Sequence, residues 1–242
     1  MNSHTFSKYI ARLGAELARN VVNYQGTTDM QNTVYVLGES HALSPAHLVV
    51  PWHGQVSRFV PKFVMGVKMF HLGTKGRSDS PRFCDAAKAQ IAQCRPNSHL
   101  LVTIGEIDTR LDEGIWPLLA GRNWVQREEL ISTTVDEYLA NLCELTRNQH
   151  FRTITVQGVP APASDLDKAI SSTKLRKSYI ELIRQVNDRL KGQTLLHGWA
   201  FLDVYTATCG DDGTSNKKWH IDDFHLKPSF YLESEHWLIK SW

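Results

Sequence analysis

Thr-Val-Tyr-Val-Leu-Gly-Glu-Ser-His-Ala, residues 33–42, is the stretch from which the chain is best read. Strand-forming residues run directly into Gly38, then an acid, then Ser40. A short, continuous apolar run stopped by glycine predicts a buried strand of a parallel sheet. In open α/β sheets, ligands bind at the carboxyl ends of such strands. Ser40 is therefore expected at the mouth of the sheet. A serine there serves either as a helix cap or as a nucleophile, and the stretch alone leaves both open.

Working outward, the pattern repeats. Strands are predicted at 67–72, ending at Gly73, at 98–104, ending at Gly105, at 153–157, halted by Gly158, and at 200–204. Helical spacing marks 5–22 (Phe6, Ile10, Leu13, Leu17, Val21), 81–94, 126–149, 173–191 and a last helix at 229–240. The N-terminal helix shows nothing that suggests chemistry. Residues 46–65, with Pro51, Gly54 and Pro61, read as irregular, a partial lid. Strands alternating with helices imply a parallel, doubly wound sheet with helices on both faces. The length of 242 residues fits one such domain, 1–242.

Composition excludes several classes. The net charge of +2 comes from interspersed acids and bases, which argues against a nucleic-acid partner. No apolar run is long enough for a membrane span. No apolar leader segment is visible at the N-terminus. The four cysteines are widely spaced, so free thiols and a reducing, cytoplasmic setting are expected. Neither a phosphate-binding loop nor a dinucleotide fingerprint occurs, so no cofactor is expected.

Three strand ends carry polar clusters: Gly38-Glu-Ser-His41, Gly73 to Gly76, and Gly105-Glu-Ile-Asp-Thr-Arg110. A fourth, Asp222-Asp-Phe-His225, lies near the C-terminus. Asp222 and His225 stand three apart, a spacing that brings carboxylate and imidazole together within one turn. A carboxylate on one ring nitrogen leaves the other as a base, able to take a serine proton. An exposed turn without function has the same spacing. His71 reads as a core histidine. His220 with Asp222 and His225 is a weak metal-site candidate, and no metal is expected. Trp52 and Trp116 are placed in loops near the site, where they could stack on a sugar.

These four blocks, in this order from about 33 to 230, resemble the SGNH (GDSL-like) hydrolase family. The resemblance implies a three-layer α/β/α fold with a flavodoxin-like, five-stranded parallel sheet. It implies a serine esterase acting on a small acyl ester, acylated carbohydrates included, or an O-acyltransferase using the same serine. By that match Ser40 is the nucleophile, His225 the base and Asp222 the orienting acid, with Asp223 as competitor. The Ser40 amide and that of Gly73 or Gly76 would form the oxyanion hole. Glu39, His41, Glu106, Asp108 and Arg110 would line or support the site. Two blocks depart from the family. Glu39 replaces the usual aspartate, and Ile107 stands where an asparagine normally completes the oxyanion hole. Loss of one such donor costs about 10²–10³ in turnover, so a catalytically impaired binding module is the alternative. Oligomeric state is left open.

Overall fold

The structure is a computed structural model that describes residues 3–21, 32–73, 80–119 and 124–241. A seven-stranded sheet has the order β2-β3-β1-β4-β5-β6-β7. The strands are β1 (Thr33–Gly38), β2 (Val49–Trp52), β3 (Gln55–Phe63), β4 (His99–Val102), β5 (Thr153–Gln157), β6 (Ala200–Leu202) and β7 (Leu238–Ile239). The five central strands, β3-β1-β4-β5-β6, are parallel, in the flavodoxin-like order. β2 and β7 add antiparallel edges, so the sheet is mixed rather than purely parallel.

β1 is buried along almost its whole length because both faces of the sheet are covered. Tyr35 and Leu37 join a core with α3 (Ser80–Ala92), α5 (Trp124–Thr146) and α7 (Thr173–Leu196). Val34 and Val36 point the other way, into a core with Trp219, Phe230 and Tyr231. That second face also carries α1 (Ser3–Val21), which packs on the 3-10 turn Pro228–Leu232. Shorter helices are α2 (Met69–Gly73), α4 (Ile115–Leu118), α6 (Leu166–Ala169) and α8 (Val204–Thr208). Among the described residues no helix is long and apolar enough to cross a membrane. All four cysteines are free.

Two corrections concern the second strand. Residues 67–72 are not a strand, because Met69–Gly73 is helical. The Asp108 carboxylate accepts from Met69 N at 2.7 Å and Phe70 N at 3.2 Å, satisfying the open amides of this helix start. The strand that pairs with β1 is β3, inside the supposedly irregular 46–65. His53 and Gly54, with φ of 51° and 78°, make a two-residue hairpin turn in the left-handed pattern that matches strand twist. Pro51 is tolerated because β2 is an edge strand, and Pro61 lies beyond Arg58, the last residue of β3 that β2 pairs with.

The final helix expected at 229–240 is also absent. Two 3-10 turns, Pro228–Leu232 and Ser234–Trp237, lead into β7 there. This segment buries Phe230 and Tyr231 under the sheet and then supplies its edge strand, a path a single helix could not follow. In α1 the buried face runs through Tyr9 and Leu13, while Ile10 is 39% exposed.

Candidate active site

β1 ends at Gly38, where a Cβ would lie 2.1 Å from Thr103 Oγ1. Only glycine allows the ends of β1 and β4 to approach this closely. The chain then turns into the 3-10 segment Ser40–Leu43. Ser40 makes no capping bond to this turn. Its Oγ lies 2.8 Å from His225 Nε2 and also donates to the Glu39 carboxylate.

His225 is fully buried. Its Nδ1–H donates to Asp222, with contacts of 2.8 and 2.9 Å to the two carboxylate oxygens. Asp222 also accepts from the backbone N–H groups of Phe224 and His225, which folds the Asp-x-x-His segment into a tight turn. Burial pushes the Asp222 carboxyl up, but the His225 hydrogen bond and charge, with the two backbone bonds, outweigh it and hold the group at about 2. Asp222 is thus ionised, and it holds the imidazole with Nε2 toward Ser40. Asp223 is exposed and makes no bond to His225, so the two acids are told apart by geometry.

A second pair sits against the same serine. Glu39 accepts from His41 Nδ1 as well as from Ser40 Oγ. His41 donates its Nε2–H to the Phe224 carbonyl at 3.0 Å. Burial penalises both charges. The mutual attraction and hydrogen bond prevail, lowering Glu39 to about 2 and raising His41 to about 9, so the pair is ionic at neutral pH. The extra methylene of Glu39 lets one carboxylate reach both neighbours.

The Gly105–Arg110 block divides into two tasks. Glu106 and Arg110 form a bidentate pair, with Nε 2.9 and 3.0 Å from the carboxylate oxygens. Arg110 also reaches Glu113 at 3.4 Å and lies over the Phe224 ring at 4.8 Å. Burial disfavours its charge, but Glu106 outweighs this and raises the Arg110 pKa. Asp108 does not pair with Arg110; it caps α2, and burial lifts its carboxyl to about 7 despite the two amide bonds.

A cleft of about 390 Å³ opens at Ser40. Phe6, Phe63, Met65 and Ile107 supply apolar wall, and Arg110 and Glu113 a charged rim. Gly66, with φ of 68°, also lines it, in the loop after β3. Gly73 does not line this cleft. It ends α2, where a Cβ would lie 2.9 Å from Glu137 and 3.0 Å from Tyr138 of α5. Gly76 lies outside the described residues.

Solved structures share this arrangement of layers. A lipase from a goat rumen metagenome aligns over 85% of this chain and 95% of its own, with a TM-score of 0.52 at 12% identity. Phospholipase A1 from Streptomyces albidoflavus NA297 aligns over 85% and 98%, with a TM-score of 0.50 at 12% identity. The fold is that of the SGNH hydrolases. A GDSL-like lipase from Bacteroides thetaiotaomicron VPI-5482 aligns over 92% and 93%, with a TM-score of 0.47 at 12% identity. No protein-family model matches the sequence, and no curated protein does.

The sequence reading missed Tyr9. Its ring stacks on His225, with centroids 3.8 Å apart and 18° between planes. Its hydroxyl donates to the Ser40 carbonyl at 3.0 Å and meets Ser44 Oγ at 3.2 Å. Burial raises the phenol pKa, so the hydroxyl stays a donor. The helical stripe through Phe6 and Leu13 contains Tyr9, but periodicity cannot show that the stripe faces His225. Other expectations are revised. Trp52 is fully buried against Phe59, so it cannot stack on a ligand. Trp116 packs edge-on against Tyr179, away from the Ser40 cleft. His71 stacks on Phe83 in the core. His220 turns its Nδ1 to Ser215, 2.7 Å away.

Proposed function

We propose that the protein is a serine hydrolase of the SGNH family, an esterase that cleaves a small acyl ester through an acyl-serine intermediate. One observation carries the reading: Ser40 Oγ, His225 Nε2 and the Asp222 carboxylate stand in hydrogen-bonded series at 2.8 and 2.8–2.9 Å. Serine needs such a base to become nucleophilic.

In this mechanism Ser40 Oγ turns its proton from Glu39 to His225 Nε2 and attacks the ester carbonyl carbon as that proton passes to the imidazole. The resulting imidazolium is held by Asp222. The tetrahedral species collapses, His225 returns the proton to the leaving alcohol, and the acyl group remains on Ser40. Water then attacks the acyl-serine, His225 takes one of its protons, and the acid is released as Ser40 recovers its hydrogen. We assign the oxyanion donors to the backbone amides of Ser40 and Gly66. Ile107 contributes apolar wall instead of a donor. The apolar side formed by Phe6, Phe63 and Met65 suits the acyl chain.

Acyl transfer to an alcohol acceptor has one observation on its side. A second cleft of about 370 Å³ lies beyond Arg110 and Phe224, lined by Asp112, Asp165, Tyr179 and Asp223, with room for a polar acceptor. Product analysis with p-nitrophenyl acetate, with and without a sugar alcohol, separates hydrolysis from transfer.

The primary test is fluorophosphonate labelling followed by peptide mass spectrometry. Stoichiometric modification of Ser40, lost in His225→Ala, is expected. A folded wild-type protein that resists labelling would leave the binding-module reading in its place.

A further inference from the structure

Around Ser40, two histidines are each held from behind. His225 gives its Nδ1–H to Asp222, and His41 gives its Nε2–H to the Phe224 carbonyl. The nitrogens left over, His225 Nε2 and His41 Nδ1, both turn toward Glu39 and Ser40. One donor atom from each of Glu39, His41 and His225 lies within 4.8 Å of the other two. All three side chains are buried, at 2%, 1% and 0% exposure. Ser40 Oγ, bonded to both Glu39 and His225, is a fourth donor, and the cleft reaches Glu39 and Ser40 from solvent.

Metal-binding histidines characteristically donate their second N–H to a carboxylate or a backbone carbonyl, which fixes the tautomer and aims the ligating nitrogen. Both histidines here have that support. The ring of His225 is clamped further between Tyr9 and His41, at centroid distances of 3.8 and 4.7 Å. Two imidazoles, a carboxylate and an oxygen donor form an N₂O₂ set, which suits zinc and similar divalent transition metals rather than magnesium or calcium. Donors at about 2.0–2.1 Å from zinc sit roughly 3.4 Å apart, so the hydrogen-bonded neighbours must spread and the widest pair, within 4.8 Å, must close, both by side-chain rotation.

We propose that Glu39, His41 and His225, with Ser40, form a binding site for a divalent transition metal, and that the bound ion switches the serine off. The ion takes the Nε2 lone pair that would otherwise accept the Ser40 proton. It also displaces the proton held between His41 Nδ1 and Glu39, and that proton is released to buffer. The binding half of this inference stands on the ligand set alone. The inhibitory half rests on the hydrolase reading above.

The experiment loads metal-free protein with Co²⁺, read by the visible absorption of a four-coordinate site, and with Zn²⁺, read by calorimetry. Fluorophosphonate labelling of Ser40 is followed in parallel. Stoichiometric binding is expected for both ions, none for Mg²⁺, and labelling should slow by about tenfold or more until EDTA restores it. Glu39→Gln and, separately, His41→Gln should each weaken binding by at least about 10–100-fold, the loss that disturbing even a partner behind a metal ligand brings. Melting curves check that each variant is folded, and the near-isosteric Glu39→Gln guards against a folding failure of the other. Absence of stoichiometric binding, or binding unchanged in both folded variants, overturns the site. Metal binding without any labelling of the metal-free protein keeps the site and removes the hydrolase reading. Labelling that zinc leaves untouched, despite binding, overturns the switch.

Discussion

His41 donates to the carbonyl of Phe224 at 3.0 Å, joining residues 183 positions apart in the chain. One partner directly follows Ser40 and the other directly precedes His225. Through Glu39, which accepts from both His41 and Ser40, the end of β1 and the C-terminal turn are locked into a single unit. The separation of Ser40 from His225 is set by this clamp as well as by their own hydrogen bond.

Asp222→Asn keeps the shape of the turn but removes the charge that holds His225 in its working tautomer. Turnover should fall by about 10⁴ with little change in KM. Asp223→Asn should retain most activity, because Asp223 is exposed and unbonded to His225. Steady-state kinetics on both variants decide the matter, and a larger loss in the Asp223 variant would reverse the assignment.

The two candidate glycines give opposite signatures. Gly66 needs a positive φ, so Gly66→Ala strains the loop by about 1–3 kcal/mol and shifts its amide. A misplacement near the reacting centre costs up to about 10² in kcat. In Gly73→Ala the new methyl meets α5 instead. Its melting temperature should drop while kcat of the folded fraction holds. Urea melts and kcat measured side by side test this pair.

Tyr9 ties α1 to His225. Tyr9→Phe removes a buried hydroxyl that bonds the Ser40 carbonyl and Ser44, at a cost of about 1 kcal/mol, and keeps the stacked ring. Tyr9→Ala also opens a cavity beside His225, and about 3–5 kcal/mol of stability should go with it. Activity should follow the ring rather than the hydroxyl. Equal activity losses in the two variants would show that stacking does not position His225.

Acid should weaken the fold in a defined window. His53 and His99 stack at 5.6 Å across the sheet, and burial lowers both from 6.5 to about 4. Their mutual proximity adds to the shift of His53, as does Lys240, and Arg152 adds to that of His99. The half-buried His220 is lowered by desolvation too, to about 4. Between these values the unfolded chain binds more protons, so stability is full above pH 6.5 and declines as pH falls toward 4. Urea midpoints measured through this range should fall less steeply in His53→Gln/His99→Gln than in wild type.

The sequence by itself determined the strands that announce themselves by apolar content. β1, β4 and β6 were legible because a strand covered on both faces is mostly apolar, β5 because β-branched residues run up to Gly158, and each ends near a glycine or a polar cluster. It also determined the order of the blocks holding Ser40 and Asp222-x-x-His225, since spacing within one turn is a local property. What only the tertiary structure decided was non-local. β3 carries Ser57, Arg58 and Lys62 among its apolar residues and looks like a loop until the turn at His53-Gly54 pairs it with β2. The helix at Met69–Gly73 depends on Asp108, 39 residues from Met69. Gly66 reached the site because β3 did, and Tyr9 because α1 packs over the C-terminal turn. Asp222 was separated from Asp223 by its bonds to His225, and Trp52 was moved from ligand wall to core by burial. Hydrogen bonds and burial between distant segments leave no periodic trace in a chain, so these residues became visible only once the sheet had gathered them.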